Sequence, residues 1–311
     1  MTTPLVSVVA IFRDEIRFLA EAIESVFAQS NPHWELFLVD DASTDGSSAL
    51  AARYAEARLE RVRYLEPARG PRGTSASRNL GVRHARGRYV AFLDGDDVWL
   101  PRKLEDQVAI LEAHPEVALV YGRTEYWYSW TGDPADAERD FVRPLGVEAD
   151  TVVAPPRLLT LALESTAPVA WPSDFMVRRS MFERVGGFEE RFPGLFDDQA
   201  LLAKLYLTEP VFVSDRCWFR YRRHDRSVTS VARSEKHAVG LEYLRWLDAY
   251  LADTGTGDGD VRRALGEKRA RYEAELDEAP KRGGRAYARV LAALGGRSRR
   301  SAASRIGSPD G

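Results

Sequence analysis

The sequence contains a single cysteine, Cys217, among 311 residues. No intramolecular disulfide can form, and a reducing compartment is the expected setting. No apolar run approaches the roughly 20 residues that span a bilayer, and Met1-Thr2-Thr3-Pro4 lacks the basic-then-apolar pattern of a secretion leader. A net charge of -3 provides no global basic field to draw in nucleic acid. No Gly-x-Gly-x-x-Gly follows the first apolar run, which argues against a dinucleotide-dependent dehydrogenase. These absences lead to the expectation of a cytoplasmic protein without a nucleic-acid partner. What is present is ordinary for a globular chain: 44% apolar and 29% charged residues, in a length that suits one large domain with or without an appendage.

Apolar runs alternate with helical periodicity. Residues 5–11 (LVSVVAI), 34–39 (WELFLV), 61–65 (RVRYL), 88–93 (RYVAFL) and 117–122 (VALVYG) read as strands. Asp14-Glu15 stand ahead of Ile16, Leu19, Ile23, Val26 and Phe27 at helical spacing, where acidic residues suit a helix N-terminus. Helices are likewise expected over 46–59, 75–86 and 102–113. This alternation predicts an open, mostly parallel, Rossmann-like α/β sheet flanked by helices. Ligands of such sheets bind beyond the carboxyl ends of the strands. The second half is less regular. Residues 123–130 (RTEYWYSW) alternate, with Tyr126, Tyr128 and Trp130 on one face, and 131–156 reads as a polar, Pro-rich excursion. A strand runs into a helix over 174–183, a helix covers 198–207, and strand-like stretches fill 211–222. From 234 onward the pattern is helical, broken by the Gly-rich 254–260.

Several clusters could perform chemistry. Asp94-Gly95-Asp96-Asp97 places three carboxylates in four residues just past a strand end. They repel one another without a cation or hydrogen bonds, and hard oxygen ligands suit Mg²⁺ or Mn²⁺ in the company of phosphates. Gly95 permits a tight turn close to a ligand. An acidic turn capping the next helix is the plainer reading, since Asp-Gly is a common turn dipeptide. Asp40-Asp41 also end a strand, and Ser43-Thr44-Asp45-Gly46 behind them reads as turn and cap. That leaves a carboxylate for a base N–H or a ribose hydroxyl. Asp197-Asp198 need only one member as a helix N-cap. Tyr221-Arg222-Arg223-His224 follow a strand and fit diphosphate binding or completion of a metal site by a neutral imidazole. With parallel strands, Asp40, Asp41, Asp94, Asp96 and Asp97 share one sheet edge.

Taken together, these residues resemble the family 2 glycosyltransferases, which have the GT-A fold. Val6-Ser7-Val8-Val9-Ala10 with Arg13-Asp14-Glu15 is similar to the family's first strand and turn, and 24–29 (ESVFAQ) to its first helix. Residues 39–46 (VDDASTDG) are similar to its nucleotide-binding segment, and 76–81 (ASRNLG) with 85–87 (ARG) to the helix that follows. Residues 92–97 (FLDGDD), with Pro101, resemble its metal and donor motif; 185–190 (VGGFEE) and Phe196-Asp197-Asp198 resemble its acceptor-side segments. The resemblance implies donor contacts at Ala10, Phe12, Asp40, Asp41, Arg78, Asp94, Gly95 and Asp96. It implies Mg²⁺ or Mn²⁺ at Asp96, Asp97 and His224, and Asp198 as catalytic base. The family's usual Glu-Asp is Asp197-Asp198 here, so both aspartates stay in play as the base. The implied division is a catalytic domain over 1–232, with a donor half at 1–122 and an acceptor half at 123–232. A helical extension over 233–296 and a disordered basic tail over 297–311 would follow.

The implied reaction is an inverting transfer of one sugar from a UDP- or dTDP-sugar to a hydroxyl of a saccharide, a lipid carrier or a secondary metabolite. A divalent ion stabilises the leaving diphosphate, and one carboxylate takes the acceptor proton. Neither the Gln-x-x-Arg-Trp segment nor the membrane helices of processive members is present, which favours single transfer. Two other classes compete. Residues 92–98 fit the Asp-x-Asp nucleophile strand of haloacid-dehalogenase-type phosphatases, with Asp94 attacking, although that family's strand usually opens the chain. A non-catalytic carbohydrate-binding module would use Tyr126, Trp127, Tyr128, Trp130 and Trp171, but aromatics at period two more often belong to a core. Residues 281–305 carry eight Lys or Arg and no acid. Their functional reading is contact with anionic lipid at the inner face of a membrane, and the helices after 234 offer a homodimer surface.

Overall fold

The computed structural model describes residues 5–67, 72–231 and 235–277. In chain order it runs β1 (Val6–Phe12), α1 (Leu19–Phe27), β2 (Trp34–Asp40), α2 (Ser47–Ala57), β3 (Val62–Leu65), α3 (Thr74–His84) and β4 (Tyr89–Asp94). The short β5 (Val98–Trp99), α4 (Lys103–Ala113) and the long β6 (Leu119–Trp127) follow. The excursion holds a 3₁₀ turn (Ser129–Thr131), α5 (Pro134–Ala137), β7 (Phe141–Val142) and β8 (Thr151–Val153). Then come α6 (Arg157–Glu164), β9 (Met176–Arg178), α7 (Arg179–Arg184), α8 (Asp197–Thr208), β10 (Val211–Arg222), α9 (Val228–Val231), α10 (Lys236–Thr254) and α11 (Gly259–Asp277).

The strands form one ten-stranded sheet with the main path β3-β2-β1-β4-β9-β6-β10-β5. Strands β1 to β4 are parallel. β9 is antiparallel to both β4 and β6, and β6 is parallel to β10. β1, β2, β4, β6 and β10 therefore present their carboxyl ends along one edge. The chain leaves β1 toward β2 and β3 and returns to β4 on the other side, so the topological switch point lies between β1 and β4.

β1 and β2 are buried along their whole length, as central parallel strands should be. Alternation divides their side chains between two cores. Val9, Ile11, Phe37 and Val39 share one with Val82 of α3, Leu159 of α6 and Leu201 of α8. Val8, Ala10, Phe12 and Leu38 share the other with Leu19 of α1, Ala51 of α2 and Leu104 of α4. Fully burying each Val, Leu or Phe of this kind stabilises the fold by about 1.5–3 kcal/mol. Leu244 and Leu247 of α10 and Leu265 of α11 join the first core, so the described part of the C-terminal extension packs on the sheet's own helices. The basic stretch 281–305 and the tail 297–311 lie outside the described residues. Among the described residues, no helix is long and apolar enough to cross a membrane.

Two local departures from the sequence expectation matter below. Helix α1 starts at Leu19, not at Asp14. Asp14 takes φ 55°, its Oδ1 accepts the Thr44 N–H at 2.6 Å, and its own N–H donates to Ser43 Oγ at 3.0 Å. The loop after β1 is thus clamped to the loop after β2, and Glu15 is left outside the helix. In the aromatic run, β6 carries the alternation only to Trp127, and the 3₁₀ turn takes Trp130 off the strand.

Candidate active site

A cleft of about 640 Å³ opens over the carboxyl ends of β1 and β4, lined on that side by Phe12, Asp41, Arg78, Asp94, Gly95 and Asp96. Gly95 holds the turn after β4 against β1: its N–H donates to Ile11 O at 2.9 Å, and a Cβ there would sit 2.7 Å from Phe12 Cβ. The glycine is thus required by the approach of two backbones, and that approach brings Asp94 and Asp96 beside the turn at 12–15.

The adjacent aspartates after β2 have separate roles. Asp41 lines the cleft, and its carboxylate accepts the N–H groups of Arg72 at 2.7 Å and Gly73 at 3.1 Å. Burial raises its pKa, and those two N–H groups pull against the rise. Asp40, expected near a base, turns away from the cleft. It accepts the Ser43 N–H at 2.8 Å, the Ser48 hydroxyl at 2.5 Å and the Tyr64 hydroxyl at 2.9 Å, and so braces the loop. Ala10, expected at the same site, is 1% exposed and faces the core shared with α1 and α4; its neighbours Ile11 and Phe12 line the cleft instead.

The metal-compatible group differs from the expected one by one residue. Ligand atoms of Glu15, Asp96 and His224 all lie within 4.8 Å of one another. His224 Nε2 is 2.9 Å from Asp96 Oδ2, and its ring lies 4.9 Å from that of Phe18. His224 Nδ1 is buried with no hydrogen-bond partner among the described residues. Two carboxylates with one imidazole form a donor set that fits Mg²⁺ or Mn²⁺. Asp97 does not join it. It is 2% exposed, and its Oδ1 accepts the Arg222 N–H at 3.1 Å, so it fastens the turn to β10. Burial, then the charge of Asp96, raises its pKa well above the carboxylate range.

Across the cleft, Arg78 is buried between two acids. Its Nη2 donates to Asp94 Oδ1 at 2.6 Å, and its Nη1 pairs with Asp197 Oδ2, which also accepts the Thr74 hydroxyl at 2.7 Å. Asp197 is thereby committed. Asp198 lines the cleft and takes part in no ion pair among the described residues; its Oδ1 accepts the Gln199 N–H at 2.7 Å. Burial, reinforced by the charge of Asp197, pushes its pKa up to about 7. Neither aspartate is the N-cap expected for α8. Phe196 takes that position with φ 61°, and both acids fall in the first turn, where the helix dipole favours them.

The arrangement brings Phe12, Asp41, Arg78, Asp94, Gly95, Asp96, Asp198 and the Asp96–His224 pair to one cleft, and leaves out Ala10, Asp40 and Asp97. Sequence reasoning missed Glu15, whose signal was an acid directly after the first strand, at the carboxyl edge. It also missed Arg143, which lines the far wall and lies in the irregular excursion with no motif around it.

The architecture is that of the GT-A glycosyltransferases. TarS 1-349 from S. aureus, also solved in complex with UDP, matches with TM-score 0.63 at 18% identity, over 87% of this chain and 72% of that one. The mannosyltransferase PcManGT from Pyrobaculum calidifontis, solved with GDP-Man and Mn²⁺, matches with TM-score 0.55 at 21% identity, over 99% and 78%. The chain belongs to glycosyl transferase family 2, whose profile matches residues 7–186. EpsE of Bacillus subtilis (strain 168), provisionally named a glycosyltransferase, is 44% identical over 117 residues; the match spans 38% of this chain and 42% of EpsE. Family membership sets the phosphatase reading aside; Asp94, 30% exposed at the cleft, has one oxygen held by Arg78.

Proposed function

We propose that the chain transfers one sugar, with inversion, from a UDP- or dTDP-linked donor to an acceptor hydroxyl of a saccharide, lipid carrier or secondary metabolite, with Asp198 as general base. The observation behind this reading is the contrast between two neighbours: Asp197 is neutralised by Arg78, while Asp198 faces the cleft unpaired with a pKa near 7. A carboxylate of that basicity is well matched to taking a hydroxyl proton at neutral pH during attack. Asp41 retains acceptor capacity for a base N–H, and Asp94, fixed by Arg78, offers its second oxygen to a ribose hydroxyl. Glu15, Asp96 and His224 would hold Mg²⁺ or Mn²⁺, whose charge when bound stabilises a departing diphosphate. PcManGT, solved with GDP-Man and Mn²⁺, supports a nucleoside diphosphate and a divalent ion; TarS, solved with UDP, supports uracil.

The test is the Asp198→Asn variant. Transfer should fall by about 10²- to 10⁴-fold, while calorimetric binding of UDP with Mn²⁺ stays near the unmodified value. Near-normal turnover by this variant would remove Asp198 from the role.

A further inference from the structure

The cleft is lined by Glu15, Asp41, Asp94 and Asp96, by Arg13 and Arg78, which pair with Asp41 and with Asp94 and Asp197, and by Arg143 and Arg223. The other cations along β10 are matched with acids: Arg220 Nε meets Glu125 Oε2 at 3.0 Å, and Arg222 Nη2 meets Glu21 Oε2 at 2.5 Å. Arg143 and Arg223 have no carboxylate partner among the described residues. They are tethered to phenols instead. Arg143 Nη1 donates to Tyr126 Oη at 3.4 Å, and Arg223 Nη1 donates to Tyr221 Oη at 3.1 Å. Arg223 Nε is buried with no partner.

This tethering follows from register. Tyr126 and Tyr221 stand opposite each other on the parallel strands β6 and β10, their rings edge-on at 5.4 Å. Each holds one arginine at the same wall. Trp171 stacks on Tyr221 at 4.6 Å and 21° and also lines the cleft. Alternation past the end of β10 separates this wall from the metal-compatible group. Arg222 and His224 lie against Phe18, on the side of Asp96, while Tyr221 and Arg223 lie with Trp171 and Tyr126.

Two guanidinium groups tethered to facing tyrosines, neither with a carboxylate partner among the described residues, carry positive charge that an anion would neutralise. A tetrahedral oxyanion matches the planar donor fork of arginine bidentately. An aromatic platform with a few convergent charges is also the usual make-up of a small-molecule subsite. We propose that this wall is an acceptor subsite for a phosphorylated sugar: the ring rests at Trp171, and Arg143 and Arg223 grip a phosphoryl group that the acceptor carries. The proposal deepens the transferase reading and rests on it, since it takes the space beside Asp198 as the acceptor side.

The experiment titrates the full chain with glucose 1-phosphate, methyl glucoside and glucuronate by calorimetry, with and without saturating UDP and Mn²⁺. With the donor site filled, glucose 1-phosphate should bind at least about tenfold more tightly than either of the others, since a charged, hydrogen-bonded contact is worth more than about 1.4 kcal/mol. Arg223→Gln, and independently the more exposed Arg143→Gln, should erase that preference while leaving UDP–Mn²⁺ affinity unchanged. Equal binding of the sugar phosphate and the neutral glycoside overturns the proposal, as does an unaltered preference in both variants. Equally tight glucuronate binding overturns the choice of phosphate. Loss of UDP–Mn²⁺ binding in the variants assigns these arginines to the donor and also overturns it. A chain that shows the Arg223-dependent preference yet never binds UDP refutes the donor reading and keeps this one. A chain that binds UDP–Mn²⁺ without the preference does the reverse.

Discussion

Arg78 and Asp197 form a buried ion pair although 119 positions separate them. Arg78 also holds Asp94, so a single guanidinium joins the β4 turn to the start of α8. Removing it strands the buried carboxylate of Asp197 and leaves Asp94, which is partly exposed at the cleft, without its cation. Losing one partner of a buried pair typically costs about 3–5 kcal/mol, so Arg78→Met should lower the free energy of unfolding at pH 7 by that amount. The double variant Arg78→Met, Asp197→Asn should recover part of it, because one stranded charge is gone. Urea denaturation checks both. A loss under about 1 kcal/mol for the single variant would show that the pair does not join these two segments.

The raised pKa of Asp198 fixes the direction of the pH dependence. Only the ionised carboxylate can take the acceptor proton, so kcat/KM should rise with pH through about 7 and level off above it. Asp197→Asn removes the like charge that is the second cause of the shift, so the inflection should move to lower pH. The same shift has a stability consequence of opposite sense. Between the ordinary aspartate value and about 7 the folded chain keeps a proton that the unfolded chain has released, so this group's contribution weakens as pH rises across that window. A kcat/KM profile flat from about pH 5.5 to about 8.5 would contradict the assignment of the base.

The donor half of the fold is legible in the sequence because buried parallel strands and amphipathic helices leave a periodicity that local reading detects. β1, β2 and β4 fall within a residue or two of where the apolar runs place them. The site is legible only as clusters. Asp40 and Asp41 are chemically identical, and what separates them is a set of partners: Tyr64 from β3 for one, the Gly73 backbone before α3 for the other. Asp97 belongs to the most conspicuous acidic motif, yet the backbone of Arg222, 125 positions away, claims it. Glu15 reads locally as a first-turn acid, and only the Asp14–Thr44 clamp between two loops frees it for the cleft. Each of these outcomes depends on contacts between distant segments, which periodicity and spacing do not encode.

Asp40 and Asp41 can be separated by experiment. Asp40→Ala deletes the acceptor for three hydrogen bonds that tie the loop to α2 and β3, so it should destabilise the fold by about 1–3 kcal/mol. Asp41→Asn should cost less stability than this, since the amide oxygen still accepts the Arg72 N–H, although its NH₂ then faces the Gly73 N–H and the charge toward Arg13 is lost. It should weaken UDP binding, because a base N–H meets a neutral acceptor in place of a charged one. Chemical denaturation and nucleotide titration on the same two variants give the comparison. The reverse pattern, with Asp40→Ala losing nucleotide and Asp41→Asn losing stability, would exchange the two roles.

The membership of the metal-compatible group makes a sharper distinction, because it sets Glu15 against Asp97. Geometry places Glu15 with Asp96 and His224, and turns Asp97 toward β10. Glu15→Gln, Asp96→Asn and His224→Ala should each weaken Mn²⁺-dependent UDP binding by about tenfold or more, given that even outer-shell changes at metal sites cost 10–100-fold. Chelation of the ion from the unmodified chain should have a similar effect. Asp97→Asn keeps an oxygen for the Arg222 N–H, so nucleotide affinity should stay within about twofold of normal. Calorimetry with and without Mn²⁺ measures all four. A silent Glu15→Gln, or an Asp97→Asn as damaging as Asp96→Asn, would return the ion to the acidic motif alone and leave the acid after β1 as part of the loop clamp.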